Sequence, residues 1–462
     1  MYNYKITFIF LILIIIPSAL AQTHIDAGKT NPPSNIILLI IDGMGSKYIS
    51  PNCIPTALDG TPVSHADVPI MYEMISHGVL IPDIQVPVPS TGPAHSVIIT
   101  GYSGADQETV ELPGATIYDV LNNEGFLSIA IMHKGDFTQM RNKQDIILYT
   151  ESDSIKEPSL SLQINDNNIP DDIVKELKYW ELKFSSYQKE TKGIESYTAY
   201  ADWEINASKH LVSLMAKKHP KMRYILTINI GIADCAGHYR GIEGYITSIE
   251  ALDKLLEPLV QVAHDSNTAL IITADHGMAF RSANATRGGH ASDDYYCSES
   301  VTVPLIMVSP NIITGVIDKN FNQQDIAPTI LSILDIPQQL QYSNGNILPV
   351  KQYTNLWISS DIEADVKIIQ EEKSILNSTG DSQYFFSGLK PENNYIVRVS
   401  KDDEIFEEAV KMDIDRHIEF DINIPDNIEK KWDHELWRKR IASAMIILVI
   451  AVGLLVIRKI KD

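Results

Sequence analysis

Residues 35–41 read Asn-Ile-Ile-Leu-Leu-Ile-Ile and run directly into Asp42-Gly43-Met44-Gly45. A strand with one wet face alternates apolar and polar residues. This run does not alternate, so it belongs in a sheet covered on both faces, the setting of parallel α/β sheets. Ligands bind such sheets at the carboxyl ends of their strands. Asp42 stands at that end, where a carboxylate is either a turn former or a ligand. The arrangement recurs. Residues 127–132 lead into His133-Lys134-Gly135-Asp136, residues 224–230 into Asp234-Cys235-Ala236-Gly237-His238, and residues 268–273 into Asp275-His276-Gly277-Met278. A further strand is expected at 301–309. The chain is therefore expected to be α/β, a mostly parallel sheet flanked by helices.

A second constraint lies at residues 86–101, Val-Pro-Val-Pro-Ser-Thr-Gly-Pro-Ala-His-Ser-Val-Ile-Ile-Thr-Gly. Two prolines hold the entry extended, residues 93–99 read as an apolar helix, and Gly101 closes it. Ser90 and Thr91 then sit where free amides and the positive end of the helix dipole gather, a place that holds an anion. Either hydroxyl also suits a plain N-cap.

Helices are expected at 115–124, 244–265 and 325–335. Residues 150–220 change texture: polar at first, then two amphipathic helices near 171–190 and 200–217, read as a cap over the sheet edge. Past residue 350 the pattern becomes short strands of period two. Gly388 to Val399 resembles the tyrosine-corner segment of fibronectin type III-like sandwiches, so a small β-sandwich is expected at 351–425, with a linker at 426–440.

Two apolar segments frame the chain. Lys5, an apolar core and Ala19-Leu20-Ala21 form a signal-peptide pattern covering residues 1–21. Residues 441–457 are an uncharged run long enough for a transmembrane helix, with basic residues on both sides. Export of the N-terminus followed by one span puts residues 458–462 in the cytoplasm and the rest outside it, on the cell membrane. Asn206, Asn284 and Asn377 begin glycosylation sequons, in keeping with export. The formal charge of −21 argues against nucleic acid as a partner. Three cysteines allow one disulfide at most. Nothing in the sequence sets an oligomeric state.

Asp42, Thr91, Asp234, His238, Asp275, His276 and the Gly288-Gly289-His290 segment supply carboxylates, imidazoles and a hydroxyl without thiolate. Oxygen and nitrogen donors of this kind suit Zn²⁺ or Mn²⁺, and the set is too large for one tetrahedral ion and right for two. Two ions about 3.5–4 Å apart clamp an in-line displacement at phosphorus.

The order and spacing of these segments resemble the alkaline phosphatase superfamily, which includes nucleotide pyrophosphatase/phosphodiesterases, cofactor-independent phosphoglycerate mutases and sulfatases. The resemblance runs from about Asn35 to Pro337, within a catalytic domain expected at 30–345, with Asp325-Ile-Ala-Pro-Thr-Ile-Leu331 as a familiar late helix. It implies one ion held by Asp234, His238 and His290, and another by Asp42, Thr91, Asp275 and His276. Thr91 becomes the nucleophile, with Ser90 as the fallback. Lys134 becomes a substrate contact or a replacement for the charge of the third ion that some relatives carry. A sulfatase reading meets an obstacle: Thr91 is not the Cys or Ser that becomes formylglycine, and His95 stands where the pattern needs Arg.

The expected function is an extracytoplasmic, membrane-anchored two-metal hydrolase of phosphate monoesters or diesters acting through a phosphothreonine. The alternatives are a sulfatase-like enzyme or a phospho-group transferase of the same superfamily, or a non-catalytic surface binding module.

Overall fold

The structure is a computed structural model that describes residues 22–132, 137–150, 159–188 and 193–422. Strand β1 (Thr23–Asp26) precedes β2 (Asn35–Ile41), β3 (Gly78–Gln85), helix α1 (Thr91–Thr100), β4 (Leu127–Met132), β5 (Ile146–Thr150) and β6 (Leu160–Ile164). Helices α2 (Asp171–Gln188) and α3 (Ile194–Lys218) follow, then β7 (Tyr224–Ile230), the long α4 (Ile232–Asp265), β8 (Thr268–Thr273), β9 (Thr302–Val308) and α5 (Ile326–Ile333). The main sheet runs 315–316, β3, β9, β8, β2, β7, β4, β5, β6. Its centre, β8-β2-β7-β4-β5, is parallel, and the flanking pairs β9/β3, β9/β8 and β5/β6 are antiparallel.

β2 lies in the middle, and every residue of Asn35–Ile41 is buried. Each such aliphatic side chain contributes roughly 1.5–3 kcal/mol by leaving water. A charge at Ile40, wholly buried and flanked by β7 and β8, would break the sheet at its axis. Because β2, β7 and β8 are parallel neighbours, their carboxyl ends lie side by side. Asp42, Asp234 and Asp275 follow those ends. Helices α2 and α3 pack Phe184, Tyr200 and Trp203 against one another, and the Trp203 indole donates to the Trp180 carbonyl at 2.8 Å.

The chain then builds β10 (Thr354–Gln370), β11 (Lys373–Leu389), β12 (Asn393–Lys401), β13 (Glu404–Met412) and β14 (Arg416–Phe420). Among the described residues these strands and β1 form one hydrogen-bonded six-stranded network with its own core. Strand length holds it together. β10 pairs with β14 over Leu356–Ser360 and with β12 over Asp365–Ile369, and its pairing with β11 shifts register between Ser359 and Ala364. A single long strand thereby serves both halves. β1 adds to β11 in parallel, so residues ahead of the main sheet complete this one. The Tyr395 hydroxyl meets the Asn393 side chain at 3.4 Å.

The signal-peptide, linker, transmembrane and tail segments, and Lys134, lie outside the described residues. Among the described residues no helix is long and apolar enough to cross a membrane.

Candidate metal centre

Helix α1 starts at Thr91. Ser90 occupies the N-cap in extended conformation (φ −142°, ψ 134°), but its side chain makes no capping hydrogen bond. Pro93 has no N–H and the Ala94 amide bonds the Ser90 carbonyl at 2.9 Å, so the Thr91 and Gly92 amides are the first-turn donors left for a ligand, as an anion site requires. Gly101 ends the helix in the left-handed region.

The Thr91 hydroxyl lies 3.3 Å from His276 Nε2. His276 Nδ1 donates to the Gly277 carbonyl at 3.0 Å, so Nε2 carries the lone pair and Thr91 donates to it. The same nitrogen is 3.5 Å from Asp42 Oδ1 and 3.4 Å from Asp275 Oδ2. Asp275 is fixed by two amides, Gly43 at 3.1 Å and His276 at 2.8 Å, both on Oδ1, which turns Oδ2 inward.

Beside this group stands another. Helix α4 begins just after β7, putting Asp234 in its first turn and His238 one turn on, on the same face. His238 Nε2 is 3.1 Å from Asp234 Oδ1, and His290 Nε2 is 3.4 Å from that oxygen. The His276 and His290 rings stack at 3.6 Å, joining the two groups. Asp234, His276 and His290 form one cluster with ligand atoms within 4.8 Å, and Asp42, Asp275 and His276 form the other. All seven sequence-predicted groups thus converge. Ser90 makes no side-chain cap bond at the helix entry, and Cys235 is a buried residue of α4.

The donor set fits divalent cations. His238 Nδ1 donates to the Gly288 carbonyl at 3.1 Å and His290 Nδ1 to the Pro89 carbonyl at 2.7 Å. With His276, three imidazoles therefore present bare Nε2 atoms, oriented by backbone as metal-binding histidines are. Asp234 Oδ1 and Asp275 Oδ2 are buried and accept no hydrogen bond. Burying three carboxylates so close together without cations would be strongly unfavourable.

Protonation follows this geometry. Burial works against the Asp234 carboxylate, yet His238 and His290 hold its pKa well below the usual range. Burial lowers His290, but contact with Asp234 outweighs that and raises it. His276 is lowered, chiefly by burial.

Two supports, Tyr245 and Gln323, carry no sequence signal, whereas His95 stands one helical turn from Thr91. The buried Tyr245 hydroxyl donates to the Gly43 carbonyl at 2.8 Å and accepts from the Gly45 amide at 3.0 Å, holding the loop after β2. Gln323 Nε2 donates to the Asp275 carbonyl at 2.8 Å. His95 donates from Nδ1 to the Thr91 carbonyl at 2.8 Å and lies 3.5 Å from Asp275 Oδ2, so it steadies the helix start as well as packing.

Residues 179–338 match the model of the metalloenzyme superfamily. The 2,3-bisphosphoglycerate-independent phosphoglycerate mutase of Gracilaria tenuistipitata var. liui is 32% identical over 160 residues, 34% of this chain and 30% of that protein. The corresponding mutase of Ehrlichia ruminantium (strain Gardel) is 31% identical over 135 residues, 29% of this chain and 26% of that protein. The matched region thus spans less than a third of these relatives' length. Among solved structures, the wild-type alkaline phosphatase PafA aligns with a TM-score of 0.48 at 11% identity, over 70% of this chain and 99% of that one.

Proposed function

This chain belongs to the alkaline phosphatase-like metalloenzyme superfamily, and from that premise we propose that it hydrolyses phosphate esters through a covalent phosphothreonine at Thr91. The observation that carries the reading is the Thr91 hydroxyl at the open N-terminus of α1, 3.3 Å from His276 Nε2 and beside the buried carboxylates. Asp234, His238 and His290 would hold one divalent ion, and Asp42, Thr91, Asp275 and His276 the other, with Zn²⁺ or Mn²⁺ fitting the donors. Bound there, the ions supply Lewis acidity that favours the alkoxide form of the nucleophile and stabilises the leaving oxygen.

The chain's own groups account for the rest. Thr91 Oγ1 attacks phosphorus, the Oγ1–P bond forms, and the ester P–O bond breaks to release an alcohol that takes up a proton. The Thr91 and Gly92 amides at the start of α1 would face the equatorial oxygens as charge builds on them. Water then attacks the phosphothreonine, the Oγ1–P bond breaks, and inorganic phosphate leaves with the Thr91 hydroxyl restored. His95 keeps the Thr91 backbone in place through its carbonyl.

A transferase reading differs only in the acceptor of the second step, an alcohol in place of water. A sulfatase reading fails on the formylglycine pattern, since Thr91 is neither Cys nor Ser and Ser90 has Gly92 where the pattern needs Pro, and a non-catalytic module gives no reason for the full donor set. The proposed setting is outside the cytoplasm, anchored by residues 441–457. The deciding experiment is a screen of phosphomonoesters, phosphodiesters, phosphonates and sulfate esters with the purified full-length protein. Phosphoester turnover is expected. Sulfate-ester turnover without phosphoester turnover would overturn the reaction class.

A further inference from the structure

We propose that the cleft between helix α5 and the C-terminal sheet is a second binding site, one that takes a neutral sugar. A cavity of about 250 Å³ opens there, and its lining includes none of the metal-centre residues. One wall is α5 and the segment after it; the other is the sheet, through Trp357, Phe385 and His417. Trp357 meets Phe385 edge-on at 6.0 Å and His417 at 5.2 Å. Trp180 and Trp203 are buried in the cap, whereas Trp357 is only partly covered and keeps part of its ring toward the cleft.

The floor of the cleft is polar and already organised. Lys351 Nζ lies 2.8 Å from Asp335 Oδ1 and 2.9 Å from Asp415 Oδ2. Asn355 Nδ2 donates to Asp335 at 2.8 Å, its amide donates to Asp415 at 2.7 Å, and Tyr353 donates to Asp335 Oδ2 at 2.7 Å. The two carboxylates are therefore held rigidly. Ser332 Oγ also donates to Asp415 at 2.8 Å, which fills that carboxylate, whereas Asp335 accepts from Lys351, Tyr353 and Asn355 and keeps one of the about four acceptor sites of an ionised carboxylate for a hydroxyl donor.

Charge decides the ligand class. Lys351 is buried between its two acids, and Arg416 is engaged by Asp413 at 2.5 Å. The three carboxylates Asp335, Asp413 and Asp415 outnumber these two cations, so a phosphate or sulfate would meet a net negative wall. A wholly apolar ligand would strip water from the carboxylates without replacing its hydrogen bonds. A pyranose suits both walls: its C–H face lies on an aromatic ring, a hydroxyl reaches the acceptor site left on Asp335, and a cavity of this size holds one ring.

The test is a titration of the full-length protein with glucose, galactose, mannose and N-acetylglucosamine, read by saturation-transfer NMR and tryptophan fluorescence. At least one sugar is expected to bind saturably, in the micromolar to low millimolar range, about −8 to −4 kcal/mol on the affinity scale. Trp357→Ala should weaken it about 10-fold or more while leaving phosphoester turnover unchanged. Gln339→Trp, at an exposed position on the cavity lining, should block the cleft without disturbing the core. Binding should persist in Thr91→Ala, which separates this site from the metal centre and makes failure here distinct from failure of the proposed activity. No saturable binding of the four sugars up to about 50 mM, far weaker than a specific site requires, would overturn the proposal. So would binding undiminished in both cleft variants, or binding confined to phosphorylated or sulfated sugars.

Discussion

His290 Nε2 lies 3.1 Å from His238 Nε2, and each ring spends its Nδ1 proton on a backbone carbonyl. Two bare lone pairs at that distance repel unless a cation or a proton lies near them. Asp234 Oδ1, within 3.4 Å of both nitrogens, adds negative charge to the same point. The arrangement is one that a divalent ion completes.

About two tightly held divalent ions per chain are therefore expected by elemental analysis of purified protein. His238→Ala and His290→Ala should each lower that to about one, and Asp42→Ala should remove the other. His276→Ala should weaken both, because its ring belongs to both clusters. Retention of full activity after exhaustive chelation would sink the two-metal reading.

Thr91→Ala should lower turnover at least ~100-fold, the scale of losing a group that acts in the chemical step. Metal content should fall little, since six other donors remain. Ser90→Ala should cost much less, because its side chain does not even cap the helix. Mass spectrometry of enzyme quenched during turnover should find phosphate on Thr91. Finding it on Ser90 would move the nucleophile by one residue.

Acidity should act on the metal site in a defined direction. In metal-free protein, the lowered Asp234 pKa contributes stability above about 3.9, lost as pH falls through its folded value. The raised His290 pKa contributes stability fully present below about 6.5, lost as pH rises through its folded value. The Asp234–His290 pair thus stabilises the metal-free fold best between about 4 and 6.5. Metal binding instead needs His290 neutral. The rise in Tm on adding Zn²⁺ should be small near pH 5 and should grow toward pH 8. A constant or shrinking rise would contradict this assignment.

Topology gives a separate prediction. If the proposed leader is cleaved and residues 441–457 span the membrane as proposed, protease added to intact cells should release a large soluble fragment carrying the metal centre. Protection of that fragment until lysis would reverse the proposed orientation.

The strand ends were legible because parallel strands covered on both faces read as unbroken apolar runs. Residues 35–41, 224–230 and 268–273 form strands over those spans, and the groups after them converge. The start of α4 was less legible. Gly237 and Gly241 suggest a loop, yet the helix begins at Ile232 because Asp234 N bonds the Asp42 carbonyl at 3.0 Å and Cys235 N bonds Gly231. Partner exchange along β10 was not legible at all, since period two says nothing of which strand lies alongside. Tyr245 was equally hidden: within an amphipathic helix, nothing local marks a hydroxyl that reaches two glycines far back in the chain.

Gly241 should be the most informative position outside the donor set. Its φ of 66° interrupts α4, and a Cβ there would meet the Ala285 carbonyl oxygen at 2.3 Å and Thr286 Cα at 2.8 Å. The segment it touches supplies the Gly288 carbonyl that orients His238, and then His290 itself. Gly241→Ala should therefore cost about 1–3 kcal/mol in stability through strain and also push that segment away from the helix. Gly60→Ala is the control: its φ is 84°, but nothing lies within 4 Å of the added carbon. Both variants should lose thermal stability, while Gly241→Ala alone should lose the ion held by His238 and His290. Equal metal content in the two would show that the close packing at Gly241 serves only the backbone and does not set the position of His290.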